Sequence, residues 1–138
     1  MRILPSILSV HGDVFNDSQG SYPRVLFVCS VGQIRSATAM HVAFRYGLNS
    51  RCCGSKVTAS LVPISGTLVE WARVIVFMTK ENLNEAIDIF KDDLYIMENL
   101  SAKSIVWNIH DIYNYMDKEL VELIDKNIEN NLPIHWRT

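Results

Sequence analysis

Val25-Leu26-Phe27-Val28 runs without a break into Cys29, and then into Ser30-Val31-Gly32-Gln33-Ile34-Arg35-Ser36. A β-branched and aromatic run of this kind reads as a central strand of a parallel sheet, covered on both faces. The residues after Arg35 read as a helix. A strand, a tight loop and a helix N-terminus together make an anion site, because loop amides and the helix dipole converge there.

The same alternation continues along the chain. Val25 to Cys29 is the first expected strand. Ser36 to Tyr46 is a helix with Met40, Ala43 and Phe44 on one stripe and Gly47 as its C-cap. Ser50 to Cys53 is a short second strand, and Val62 to Trp71 a less regular helix. Val74 to Met78 is a fully apolar third strand. Thr79 caps the next helix, in which Leu83, Ala86, Ile87 and Phe90 recur at helical spacing. Ser104 to Ile109 reads as strand four. Asp117 caps a last helix with Leu120, Val121, Ile124 and Ile128 on one face. Alternating β and α elements specify a three-layer α/β/α fold with a four-stranded parallel sheet. Its ligand crevice lies at the carboxyl ends of the strands. Cys29 and Asp111 both fall just past such ends, so they meet there although far apart in sequence.

Composition narrows the function. The 138 residues make one domain with room for one sizeable core. An apolar share of 49% and a charged share of 20% are those of a soluble globule. No run reaches the length of a membrane span. Apolar residues near the N-terminus are interrupted by Pro5 and Ser6, too broken for a signal peptide, so the expected compartment is the cytoplasm. The three cysteines, with Cys52 and Cys53 adjacent, are no disulfide framework. Net charge is −2, but unevenly spread. Residues 1–60 hold six Lys/Arg against two Asp/Glu, and residues 61–138 hold seven against thirteen. The half with the loop is therefore electropositive, which helps recruit an anion. There is no basic cluster or interleaved aromatic stripe for nucleic acid. No metal-ligand spacing is present and no cofactor is expected.

A cysteine ending a core strand is most often a small buried hydrophobe. The pattern Cys-x5-Arg-Ser is loose on its own, and the strand before it and helix after it sharpen it. A cysteine at the head of an anion-binding loop is suited to react as its thiolate. An arginine at the far end grips two phosphate oxygens in a bidentate fork. Thiolate-based phosphate chemistry requires this arrangement.

From Arg24 onward the chain resembles the low-molecular-weight protein tyrosine phosphatase family, and within it a short branch of predicted phosphatases. Three blocks carry the resemblance. They are Val25 to Ser36, then Trp71-Ala72-Arg73-Val74-Ile75-Val76-Phe77-Met78, then Ile109-His110-Asp111-Ile112-Tyr113-Asn114-Tyr115-Met116-Asp117-Lys118-Glu119-Leu120. The family's acid loop begins Asp-Pro-Tyr; here it is Asp111-Ile112-Tyr113. Gly32 stands where the family usually has Asn, and both residues tolerate positive φ. Ile34 replaces a frequent second cysteine, Ala37 a frequent proline, and Val31 a glycine. The resemblance implies the strand order 2-1-3-4, an extension over residues 1–22, and a catalytic domain over residues 23–138.

It also implies roles. Cys29 is the nucleophile and forms a phosphocysteine. Amides of Ser30, Val31, Gly32, Gln33 and Ile34, with the Arg35 guanidinium, hold the phosphate oxygens. Ser36 hydrogen-bonds the thiolate, and Asp111 is the general acid and then the base. Tyr113 and Tyr115 wall the pocket. Trp71 and Trp107 are core residues. The implied substrate is a phosphorylated protein or a small phosphomonoester. The chain is expected to act as a monomer, with a dimer as the alternative.

Three rivals stand beside this reading. An arsenate reductase shares the fold and loop but needs relay cysteines downstream, and no Cys follows Cys53. A phosphocarrier would hold phosphate on Cys29 but has no use for Arg35 and Asp111. A non-catalytic phosphate-binding module would use the loop alone.

Overall fold

A computed structural model describes residues 22–132. The expected extension over residues 1–22 lies, apart from Tyr22, outside the described residues. Strands are β1 (Arg24–Cys29), β2 (Asn49–Gly54), β3 (Val74–Phe77) and β4 (Ser104–Val106). Helices are α1 (Arg35–Arg45), α2 (Gly66–Trp71), α3 (Lys80–Phe90), α4 (Leu94–Lys103) and α5 (Lys118–Asn130), with a single 3-10 turn at Val57–Ala59.

The four strands form one sheet in the order β2-β1-β3-β4, as expected. Every neighbouring pair is parallel, with Val28 opposite Cys53 and Phe77, and Phe77 opposite Val106. The period of two along β1 divides the core into two layers. Val25, Phe27 and Cys29 face α1 and α5, packing with Ala39, Val42, Leu120, Ile124 and Ile128. Leu26 and Val28 face α2, α3 and α4, packing with Val69, Ala86, Ile96 and Leu100. Cys53 belongs to this second layer, so it lies across the sheet from Cys29. The exposed face of α5 is strongly charged, and the helix is held by Leu120, Ile124 and Ile128, all fully buried. Each such side chain contributes about 1.5–3 kcal/mol.

Local chemistry accounts for where the elements start. Ser65, Thr79 and Asp93 accept the amide hydrogens of Leu68, Asn82 and Ile96 and so cap α2, α3 and α4. Gly47, at φ +79°, ends α1 in the left-handed conformation.

The structure departs from the sequence reading in five places, the last of them the half-burial of Trp71. β4 stops at Val106 rather than Ile109, because Asn108 sits at φ +59°. The ladder nevertheless continues irregularly, as the Trp107 and Ile109 amides donate to Phe77 and Met78 carbonyls at 3.0 and 2.7 Å. The helix expected from Val62 begins only at Gly66, after Pro63 and the Ser65 cap. Asp117 occupies the N-cap of α5, but its side chain makes no cap bond; its carboxylate accepts the Asn114 amide at 3.4 Å. α4 was not expected at all. Trp107 is buried beside Phe27, with ring centroids 5.5 Å apart. Trp71 is only half-buried, and the Arg51 guanidinium lies 4.3 Å over its ring. Among the described residues, no helix is long and apolar enough to cross a membrane.

Candidate functional site

β1 delivers Cys29 to the carboxyl edge of the sheet, and α1 starts at Arg35, so residues 30–34 must turn tightly between them. The chain beyond β2 fastens this loop from one side. The Ser55 and Lys56 amides donate to the Cys29 and Ser30 carbonyls, both at 2.9 Å. With those carbonyls held outward, the loop curls over the sulfur. The Gly32 amide donates to Cys29 Sγ at 3.2 Å, and Ser36 Oγ lies 3.0 Å from the same sulfur. Ile34 is the N-cap of α1 and supplies no side-chain cap. The first amides of that helix therefore keep their donor capacity toward the loop.

Gly32 is at φ +77°, as its place in the loop suggested. The tolerance it shares with Asn does not make the two interchangeable here. A Cβ at this position would lie 2.7 Å from the Cys53 carbonyl carbon and 3.0 Å from the Gly54 nitrogen. Both contacts are backbone of a paired strand and cannot swing away. Gly32→Asn should therefore destabilise the protein by about 1–3 kcal/mol through overpacking, visible as a lower melting temperature. A melting temperature equal to wild type would show that the loop relaxes freely.

Arg35 is buried, its side chain 3% exposed. Its Nη1 donates to the Ile109 carbonyl at 2.9 Å and its Nη2 to Ser30 Oγ at 3.4 Å. The guanidinium thus bridges the loop and the segment after β4. Asp111, two residues beyond Ile109, brings Oδ1 to 3.8 Å from Arg35 Nε and is 63% exposed. Arg35 Nε itself is buried and has no hydrogen-bond partner among the described residues.

The remaining sequence-derived residues fall around this centre. Val31 and Ile34 are half-buried and Gln33 is exposed. Tyr113 is half-buried against the layer containing Cys29, with Ile34 packed on the same layer. Tyr115 is exposed and stands edge-on to His41 of α1, with centroids 5.9 Å apart. The Met116 amide donates to Thr38 Oγ1 at 3.0 Å, which docks this segment on α1.

Four side chains behind the loop, Asn82, Ser55, Lys56 and Glu85, escaped the sequence reading. Asn82 in α3 is 1% exposed and its Nδ2 reaches Ser30 Oγ at 3.3 Å and Ser55 Oγ at 3.2 Å. Ser55 donates to Glu85 Oε1 at 2.5 Å, and Lys56 to Glu85 Oε2 at 3.0 Å. Burial alone would raise the Glu85 carboxyl pKa. Hydrogen bonds from Ser55, Lys56 and Asn82 outweigh it and hold the group below the usual carboxylate range. The one signal in the sequence is that Asn82 precedes Ala86 by four residues, placing a polar side chain on the buried stripe of α3. Burial pushes the Cys53 thiol up. It does the same to Cys52, where the nearby Cys29 adds to the effect. Among the described residues, no group of three or more His, Cys, Asp and Glu side chains is arranged to hold a metal ion.

Comparison with solved structures identifies the architecture. The tyrosine phosphatase Wzb from Escherichia coli K30, solved with phosphate, matches with a TM-score of 0.59 at 12% identity, over 76% of this chain and 92% of that one. Wzb from Vibrio vulnificus, solved with benzylphosphonate, matches with 0.57 at 16% identity, over 76% and 93%. The YwlE arginine phosphatase from Geobacillus stearothermophilus matches with 0.52 at 16% identity, over 80% and 99%. The chain has the fold of the low-molecular-weight protein tyrosine phosphatases. No family model matches the sequence, and no curated protein matches it significantly.

Proposed function

We propose that the chain is a cysteine-dependent phosphomonoester hydrolase of the protein-tyrosine-phosphatase kind, working through a phosphocysteine. The observation that carries this is the Arg35 guanidinium at the end of the loop that Cys29 begins. It is buried and tethered at both Nη atoms, yet its Nε–H makes no hydrogen bond among the described residues, with Asp111 Oδ1 standing off at 3.8 Å. A buried donor left unmet is costly, and a phosphate dianion in the loop supplies the acceptor.

The geometry supports a two-step mechanism. The Cys29 thiolate attacks phosphorus, the bond to the leaving oxygen breaks, and phosphocysteine forms. Loop amides and Arg35 hold the equatorial oxygens as charge develops. Asp111 protonates the departing oxygen, then takes a proton from the water that cleaves the phosphocysteine. Ser36, 3.0 Å from Sγ, stabilises sulfur as the leaving group of that second step. Arg35 aligns the acid as well as the phosphate, because it grips Ile109 two residues before Asp111. The solved structures with this fold include phosphatases bound to phosphate and to benzylphosphonate, which supports the same class of ligand here. A phosphorylated protein or a small phosphomonoester is the substrate.

The test is a leaving-group series on wild type and Asp111→Asn. Wild type should hydrolyse p-nitrophenyl phosphate. The variant should lose about 100-fold or more on alkyl phosphates with high-pKa leaving groups, and far less on activated aryl esters. An equal loss across the series would remove Asp111 from acid catalysis. No hydrolysis of any ester by wild type would leave the loop as a phosphate-binding module.

A further inference from the structure

We propose that Ser30 binds the substrate phosphate through its hydroxyl hydrogen, and that the buried Asn82 is a positioning residue that aims it. Ser30 Oγ faces two nitrogen donors, Arg35 Nη2 at 3.4 Å and Asn82 Nδ2 at 3.3 Å. A guanidinium cannot accept, so the first contact consumes one lone pair of Ser30. The second consumes the other, provided Asn82 presents its NH2 group.

The surrounding bonds require that orientation. The Asn82 backbone N–H donates to Thr79 Oγ1 at 3.2 Å, and the Thr79 hydroxyl donates to the side-chain Oδ1 of Asn82 at 3.0 Å. On the other side, Asn82 Nδ2 lies 3.4 Å from the Glu85 carboxylate, which can only accept, and the Ser55 hydroxyl gives its hydrogen to that carboxylate at 2.5 Å in preference to the Cys29 carbonyl at 3.4 Å, leaving its oxygen as an acceptor for Asn82. Glu85 is kept ionised by its donors, Lys56 among them. The chain of donors and acceptors therefore runs in one direction, from Asn82 outward to Ser55 and Glu85 and to Ser30. Both lone pairs of Ser30 are engaged and its own hydrogen is left over. Ser30 is the residue directly after Cys29, at the edge of the loop that curls over Sγ, so a phosphate oxygen seated there receives that hydrogen. Asn82 makes no such contact itself; its effect passes through Ser30.

Binding of orthovanadate and of inorganic phosphate, measured by calorimetry, tests this without turnover, so it stands apart from the hydrolase reading on which its catalytic meaning rests. Ser30→Ala should weaken orthovanadate binding about tenfold, and Ser30→Thr, which returns the hydroxyl, should recover most of it. Asn82→Ala should weaken binding by a similar factor, and the double variant should be no worse than Ser30→Ala alone. Should Asn82→Ala fail to fold, the half-exposed Ser30 position still decides: unchanged affinity in Ser30→Ala overturns the proposal. Additive losses in the double variant overturn the Asn82 part. An inactive wild type that shows the expected pattern would sink the hydrolase reading and support this one. An active wild type with unaltered affinity in Ser30→Ala would do the reverse.

Discussion

Cys29→Ser should abolish turnover, with a loss of at least about a thousandfold, while the loop continues to bind orthovanadate and phosphate. The expectation has two separable parts. Serine has nearly the volume of cysteine, so the 2%-exposed site keeps its packing and its neighbours at Ser36 and Gly32. Its hydroxyl is a far weaker nucleophile than a thiolate, and among the described residues no carboxylate or imidazole is hydrogen-bonded at this position to remove its proton. On the proposed reading the oxyanion is held by loop amides and Arg35, all of which the substitution leaves in place. Loss of turnover with retained binding is therefore the signature of a nucleophile. Near wild-type turnover would show that the sulfur does no chemistry.

Arg35→Lys should lower kcat by about 100- to 1000-fold, the scale of losing one preorganised donor to a developing oxyanion. Lysine keeps the positive charge, so simple attraction of an anion survives. It loses the planar fork, and with it the simultaneous grip on Ser30 Oγ, the Ile109 carbonyl and the bound phosphate. Arg35 also holds the Ile109 carbonyl two residues before Asp111, so on the proposed reading both the phosphate and the acid lose alignment. Thermal melting should show a folded protein. A rate within a few-fold of wild type, at an intact fold, would reduce Arg35 to a general source of charge.

The centre of the sheet was legible because β1 and β3 are written as compact apolar runs separated by helical stripes. Val25 to Val28 and Val74 to Phe77 need no tertiary information to be read as buried strands. Cys29, Arg35 and Ser36 were legible for a related reason: strand, loop and helix are consecutive, so their proximity is a local consequence of the chain. Asp111 was readable through the resemblance of the Ile109 to Leu120 block, supported by the rule that crevices open at strand ends. α4 was missed because its buried pair, Ile96 and Leu100, is masked by Leu94 and Tyr95, apolar residues that face solvent. Asn82 was missed because its meaning lies in contacts to Ser30 and Ser55, which are 52 and 27 residues away. The exclusion of Asn at position 32 was equally invisible, since it depends on the Cys53 backbone passing beneath the loop.

The most direct measurement follows the phosphoryl group itself. Wild-type protein is mixed rapidly with p-nitrophenyl phosphate and quenched in acid during the first turnover, and its peptides are examined by mass spectrometry. The account predicts a burst of phenol and one phosphoryl group on the peptide containing Cys29, absent from Cys29→Ser. Hydrolysis that proceeds with Cys29 unmodified throughout, or a phosphoryl group found on any other residue, would contradict it.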